Sequence, residues 1–438
     1  MLRTARPVAY NRADARVRGA APVIRAGFLA SLAAAAASTA VPSASPAWRR
    51  GALEIHHLSF GRGNATLCIF PDGTTLLIDA GAVRGNPALL APVRPNASRR
   101  PGEWIGRYVK RRLDAIGSDA LDVALLTHFH PDHMGDVEVD SPPSRFGNYR
   151  LSGITDVAEV VPIRRMIDRG YPQYDYPAGR HDATMENYRA FVASAPRGMR
   201  TEAFAVGSTT QLGPQREPSS AFPSISVRNL AANGVVWSGR GDTTVAHFPP
   251  PATLTAEAQP DENMCSLALR VRYGAFGYYA GGDLTDSTDD GLAPWRDIET
   301  PVAQACGPVD VAAVDHHGYY DAGGPGFVRS LRPRVFVLQA WHATHPALST
   351  LERLYSTHLF AGERDVFATA LVPAAAAVND RFVARLKSTA GHIVVRVAPG
   401  GASYDVAIID DTDESDRILT TFGPYAAHSA SPVLIPPA

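Results

Sequence analysis

Apolar positions fall mostly in short runs bounded by Gly, Pro, Asn and Asp, and helical periodicity is confined to a few stretches. Residues 53–58, 66–70 and 75–79 read as three successive strands. Pro71-Asp72-Gly73 closes the second and third into a tight hairpin, because Asp-Gly tolerates the positive φ angles such turns demand. Ile105, Tyr108, Val109, Leu113 and Ile116 recur at helical spacing with Lys110, Arg111 and Arg112 opposite, which predicts an amphipathic helix over 103–116 with a solvated basic face. Residues 123–126 follow as a buried strand. Further strands are expected over 201–206, 224–230, 266–273, 277–280, 309–314, 334–338 and 365–369, with helices over 185–195 and 345–354. Asn233-Gly234 marks a hairpin, residues 390–410 supply a last one, and 411–438 read as a C-terminal tail.

The strand over 123–126 runs into Thr127-His128-Phe129-His130-Pro131-Asp132-His133, three histidines and a carboxylate within six positions. In an extended segment alternate side chains share a face, so His128 and His130 can reach one cation. Asp132 and His133 come after a Pro-initiated turn and face a second. Imidazole and carboxylate ligands suit zinc and tolerate manganese or iron. A structural zinc site usually closes its shell with cysteine, and none is nearby in sequence. Cys68 and Cys265 sit in apolar, strand-like text as small hydrophobes. Two later strands also end in candidate ligands: Gly281-Gly282-Asp283 after 277–280, and Asp315-His316-His317-Gly318 after 309–314.

The His-x-His-x-Asp-His run resembles the signature of the metallo-β-lactamase superfamily. Gly61-x-Gly63-Asn64, Pro71-Asp72-Gly73, Ile78-Asp79-Ala80-Gly81 and His316-His317-Gly318 bring it closer to the soluble hydrolase domain of ComEC-type channels and to related secreted, phosphodiesterase-like members. The resemblance implies a four-layer αββα sandwich of two similar halves with two divalent cations at one edge. It implies His128, His130, Asp132, His133, Asp283 and His317 as metal ligands, Asp283 as the bridge, and Asp79 as a buttress of the histidine loop. His316 would face the substrate as proton donor, with Asp132 orienting the water; the roles of His316 and His317 are open to exchange. Most members carry one more histidine ahead of the bridging Asp, and here His247 and Asn263 compete for that place. Arg169 and Tyr171 are weaker substrate-contact candidates on an irregular segment, 137–200, that reads as an inserted substrate wall.

The implied reaction is hydrolysis by a metal-bridged water, on a phosphodiester or phosphate ester. Lactones, thioesters and β-lactams are the alternative substrates, and a metal-stabilised binding scaffold is the alternative of another class. Composition changes this picture little: 45% apolar and 19% charged residues suit an ordinary globular core, and a net charge of −1 does not point to nucleic acid as the partner. The first 47 residues differ in kind, with six Arg, one Asp and an Ala-rich apolar run ending near Ser38-Thr39-Ala40. They read as a secretion leader in preference to an organelle transit peptide or a disordered tail, leaving a hydrolase domain over 48–410 without a membrane span, in a secreted or periplasmic protein. The sequence leaves the oligomeric state open.

Overall fold

The computed structural model describes residues 47–222 and 224–428; the leader expected at the N-terminus lies almost wholly outside them, as does the end of the expected tail. In chain order the first strands are β1 (Leu53–His57), β2 (Thr66–Ile69), β3 (Thr75–Ile78), β4 (Leu121–Leu125), β5 (Ile163–Asp168) and β6 (Arg200–Ala203). The next eight are β7 (Ile225–Ala232), β8 (Val235–Trp237), β9 (Thr244–Ala246), β10 (Ala268–Tyr273), β11 (Phe276–Ala280), β12 (Val311–Ala313), β13 (Val335–Leu338) and β14 (Asp365–Ala368). The chain then returns with β15 (His392–Val397), β16 (Ser403–Ile409) and β17 (Ile418–Ala426).

These strands form two sheets. One has the order β17-β16-β15-β1-β2-β3-β4-β5-β6, the other β14-β13-β12-β11-β10-β7-β8-β9. Each joins an antiparallel part to a run of four parallel strands, β3 to β6 in one and β11 to β14 in the other, so the two halves repeat one plan. Alternation along each strand sorts the core into layers. Leu53, Ile55, Cys68, Leu76, Val123 and Leu125 face Val227, Leu269, Val271, Tyr278, Val311 and Val335 between the sheets. Leu67, Ile69, Leu77 and Ala124 point the other way, under helices α1 (Pro101–Ala115), α2 (Pro131–Met134), α3 (Ile154–Val160) and α4 (Ala183–Ser194). Helices α5 (Glu299–Cys306), α6 (Pro325–Leu331) and α7 (Leu348–Leu354) cover the second sheet through Val302, Phe327, Leu331, Leu351 and Leu354. The result is helix, sheet, sheet, helix. All three cysteines are buried free thiols, pushed up to about 12 by burial.

Four expectations change. Only Gly73 of the Asp-Gly turn takes a positive φ, of 83°; Asp72 instead accepts hydrogen bonds from the Thr74 N–H and hydroxyl, closing the turn with its carboxylate. Segment 137–200 is not an inserted wall: β5 pairs in parallel with β4, and α3 packs beside α1. Nor do residues 411–428 form a tail, because β17 extends the first sheet. The basic face of α1 is only partly solvated for the same reason: Lys110 stays exposed and pairs with Asp114 on its own helix, but its neighbours do not. Arg107 holds Glu414 through two nitrogens, Arg111 also bonds Glu414, and Arg112 reaches Asp416 at 2.7 Å. An acidic stretch 300 residues away neutralises that face, and no local pattern announces it.

Buried neutral histidines give the fold a pH dependence. Burial pushes His57 down to about 4, with a Gln339 hydrogen bond opposing, and pushes His392 down to about 3, with Arg112 and Arg111 adding to the effect. The unfolded chain protonates both near 6.5 while the folded chain keeps them neutral, so stability is full above that pH and is lost as pH falls towards 4. The slope is about 1.4 kcal/mol per pH unit for each histidine at most. Urea unfolding at pH 7, 5.5 and 4.5 should show this fall, and His392→Gln, which keeps an acceptor for the Ser59 N–H, should flatten it by about one proton.

Candidate metal centre

The site lies where three strand ends meet at the edge between the sheets. β4 ends at Leu125, and residues 126–130 continue extended into α2, whose N-cap is His130 and whose first turn carries Asp132 and His133. β11 leads through Gly281-Gly282 to Asp283, whose backbone N–H donates to the Ser266 hydroxyl at 3.1 Å. β12 leads to the Asp315–Gly318 turn, where His316 and His317 both hold positive φ angles, 45° and 56°.

Asp79, at the end of β3, locks the histidine loop. One carboxylate oxygen accepts the Thr127 N–H at 2.8 Å; the other takes the Thr127 hydroxyl at 2.9 Å and His133 Nδ1–H at 2.8 Å. With Nδ1 engaged, His133 turns Nε2 inward. The loop is also clamped by backbone proximity. A Cβ on Gly81 would lie 1.8 Å from the Asp132 carbonyl oxygen and one on Gly63 would lie 2.2 Å from it, so both positions require glycine. Asn64 N–H donates to that same carbonyl at 2.8 Å.

Two overlapping ligand groups result. His128, His130 and Asp283 form one; Asp132, His133, Asp283 and His317 form the other, and within each group the ligand atoms lie within 4.8 Å of one another. His128 Nε2 is 3.1 Å from His130 Nδ1. His317 donates Nδ1–H to the Gln339 carbonyl at 3.1 Å, which leaves Nε2 facing Asp132 at 2.8 Å and Asp283 at 3.4 Å. Asp283 belongs to both groups, the position a bridging carboxylate needs.

The residues fit a pair of divalent cations. His133 Nε2 and Asp283 Oδ1 are enclosed and only 3.1 Å apart, yet neither completes a hydrogen bond. The charges agree. Burial opposes protonation of His317, but Asp283 and Asp132 outweigh it and hold the imidazole up to about 9. Against the same burial, Asp283, Asp79 and Asp132 raise His133 well above its ordinary value. His128, buried and beside His133, stays neutral. Protons on His133 and His317 thus balance two buried carboxylates, and cations binding there displace them.

The remaining candidates separate. His316 donates Nδ1–H to Asp321 at 2.8 Å and turns Nε2 towards the Asn263 side-chain amide, 3.2 Å away, and towards Asp283. Asn263 therefore stands at the site, its Oδ1 buried without a hydrogen-bond partner. His247 does not; it follows the edge strand β9, its backbone N–H bonded to Gly234. Arg169 is no substrate contact. It is buried, clasps Glu262 through two nitrogens and lies over the Phe129 ring, while Glu262 accepts the Phe129 N–H at 2.7 Å. It is a strut under the histidine loop. Tyr171 packs in the α4 layer, ring to ring with Tyr174. Sequence reading missed Glu262 in this role; the only signal was an acid beside Asn263. The His345 ring stacks on His317, with centroids 4.7 Å apart.

A family model described as the metallo-beta-lactamase superfamily matches residues 58–139, from the end of β1 through the histidine loop. Two large sheets with helices outside them agree with the metallo-β-lactamase fold. No curated protein matches. Among solved structures, one described as a new diphosphatase from the PhnP family is similar at a TM-score of 0.33 and 10% identity, over 79% of this chain and 98% of that one. No helix among the described residues is long and apolar enough to cross a membrane.

Because Asp79 fixes the tautomer and tilt of His133, Asp79→Asn should weaken metal binding about 10–100-fold while the fold survives. Metal titration followed by elemental analysis, with far-ultraviolet circular dichroism as the check on folding, measures both. Unchanged affinity would remove Asp79 from the support of the site.

Proposed function

We propose that the protein is a dinuclear metallohydrolase of phosphodiesters or phosphate esters, akin to the ComEC-type and secreted phosphodiesterase-like hydrolases. The observation that carries this reading is the sharing of Asp283 between two ligand groups, with His316 turned towards the same carboxylate from outside both. His128, His130 and Asp283 would hold one cation, with the Asn263 amide beside them; Asp132, His133, Asp283 and His317 would hold the other. Two divalent cations, zinc or alternatively manganese or iron, supply an activated water and Lewis acidity for in-line displacement at phosphorus.

The chain's own residues do the rest. Asp79, Gln339 and Asp321 each accept an Nδ1–H, from His133, His317 and His316 in turn, so all three rings present Nε2 to one space. Asp132 offers a carboxylate to orient the attacking water. His316 is placed as the proton donor to the departing oxygen: burial opposes its protonation but Asp283 and Asp321 outweigh it, and Nε2 faces the reacting side beside the Asn263 amide. Arg169 and Glu262 keep the backbone of Phe129 between His128 and His130 in place. Export of the mature enzyme belongs to the same proposal and rests on the character of residues 1–47.

Elemental analysis of protein purified without chelator, coupled to hydrolysis of bis(p-nitrophenyl) phosphate, tests the reading. Two metals per chain and turnover abolished by chelation are expected, with Asp283→Asn inactive. His316→Gln should keep both metals, lose most turnover and lose the alkaline limb of the pH–rate profile. Bound metal with turnover only on a lactone, thioester or β-lactam would replace the substrate class, and bound metal without turnover on any ester would favour a scaffold.

A further inference from the structure

A second concavity lies between the turn after β1, the segment after β3 and the start of α1. Its volume is about 490 Å³, and its wall includes Arg62, Arg84, Arg99 and Arg100 with Glu103 and Ser141. Three of these guanidiniums are compensated. Arg84 donates to Asp140 at 2.8 Å, Arg100 holds Asp156 through two nitrogens, and Arg99 lies 3.7 Å from Glu103. Arg62 differs. It is half-buried, its Nε is enclosed with no acceptor, and among the described residues it makes no ion pair. Burial disfavours its cation, and among the described residues no ion pair offsets that. Ser141 is buried and accepts the Glu138 N–H, which leaves its own hydroxyl proton to donate.

An uncompensated guanidinium in a polar recess beside further arginines and a free hydroxyl proton is a recognition site for a tetrahedral or planar oxyanion. We infer that this recess binds a phosphate-like anion on Arg62, either a second phosphoryl group of the substrate or a free ion. The backbone ties it to the metal centre. Arg62 lies between Gly61 and Gly63, its carbonyl accepts the Val83 N–H, and the next residues, Gly63 and Asn64, press on and bond the Asp132 carbonyl. The recess is therefore joined to a metal ligand through one short turn. The substrate-borne form of the inference rests on the phosphoester reading; the binding itself does not.

Calorimetric titration of inorganic phosphate into metal-loaded protein separates the two. Wild type should bind two phosphates per chain, one at the metals and one on Arg62. Arg62→Gln should weaken the second about tenfold to a hundredfold, the loss expected for charge-assisted hydrogen bonds. Arg62→Lys should restore part of it, and Asp283→Asn should lose the metal-centre phosphate alone. Equal stoichiometry and affinity in wild type and Arg62→Gln would overturn the site, whether or not the enzyme turns over any ester. The ratio of KM for a diester bearing a second, terminal phosphate to KM for a single-phosphate diester assigns the source. A ratio that rises in Arg62→Gln marks a substrate subsite, and an unchanged ratio with lost phosphate binding marks a free-ion site.

Discussion

The carboxylate of Asp79 is where the fold and the site become one object. It is buried at the end of a central strand, with a backbone φ of 60°, and it collects a backbone N–H, a hydroxyl and an imidazole N–H from the segment leaving the neighbouring strand. A buried carboxylate is tolerable only when its lone pairs are taken. Those partners are supplied by the very residues that must be aimed, so the condition that keeps Asp79 soluble in the core is also the condition that orients His133. Parallel pairing of β3 and β4 brings the two strand ends level and makes the arrangement possible.

From that point the geometry propagates by close approach. Gly63 and Gly81 let two further backbones lie against the Asp132 carbonyl, where any side chain would meet an oxygen at about 2 Å. Glu262 and Arg169 brace the other flank, through the Phe129 N–H and the Phe129 ring. The loop is thus gripped on both sides by groups that are not ligands. Burying several carboxylates and imidazoles together is unfavourable unless charge balances, and in this chain protons on His133 and His317 provide that balance. Cations at the same positions would do so with better coordination, which is why the ligand set reads as a site and not as a polar flaw in the core.

Much of this was legible because the informative residues are local. His128, His130, Asp132 and His133 fall within six positions, and Asp283 and His317 each follow an apolar run that reads as a buried strand, while the family resemblance is what assigned these two to the metals. What escaped has no local signature. Arg111 and Arg112 look like part of a solvated helix face until Glu414 and Asp416 pair with them, and β17 is a strand only because β16 offers it an edge. Arg169 amid tyrosines reads the same whether it faces solvent or a buried glutamate. His247 and Asn263 both precede Asp283, Asn263 nearer the usual spacing but with the poorer ligand, and they separated only when tertiary structure put one just after an edge strand and the other against His316.

The turn from Gly61 to Asn64 shows how little material separates two different chemistries. Its last residues bond the carbonyl of a candidate metal ligand; its second residue sends a guanidinium without a counter-charge into a polar recess. Glycines on either side of Arg62 allow the backbone to pass between packed segments. A longer side chain at 61 or 63 would push the turn off the Asp132 loop and away from the Pro92 backbone at once. The arginine therefore cannot relax towards a distant acid without moving the residues that hold Asp132. Its lack of an ion pair among the described residues follows from where the metal loop has to be, and a negatively charged ligand entering the recess would supply a counter-charge without disturbing that loop.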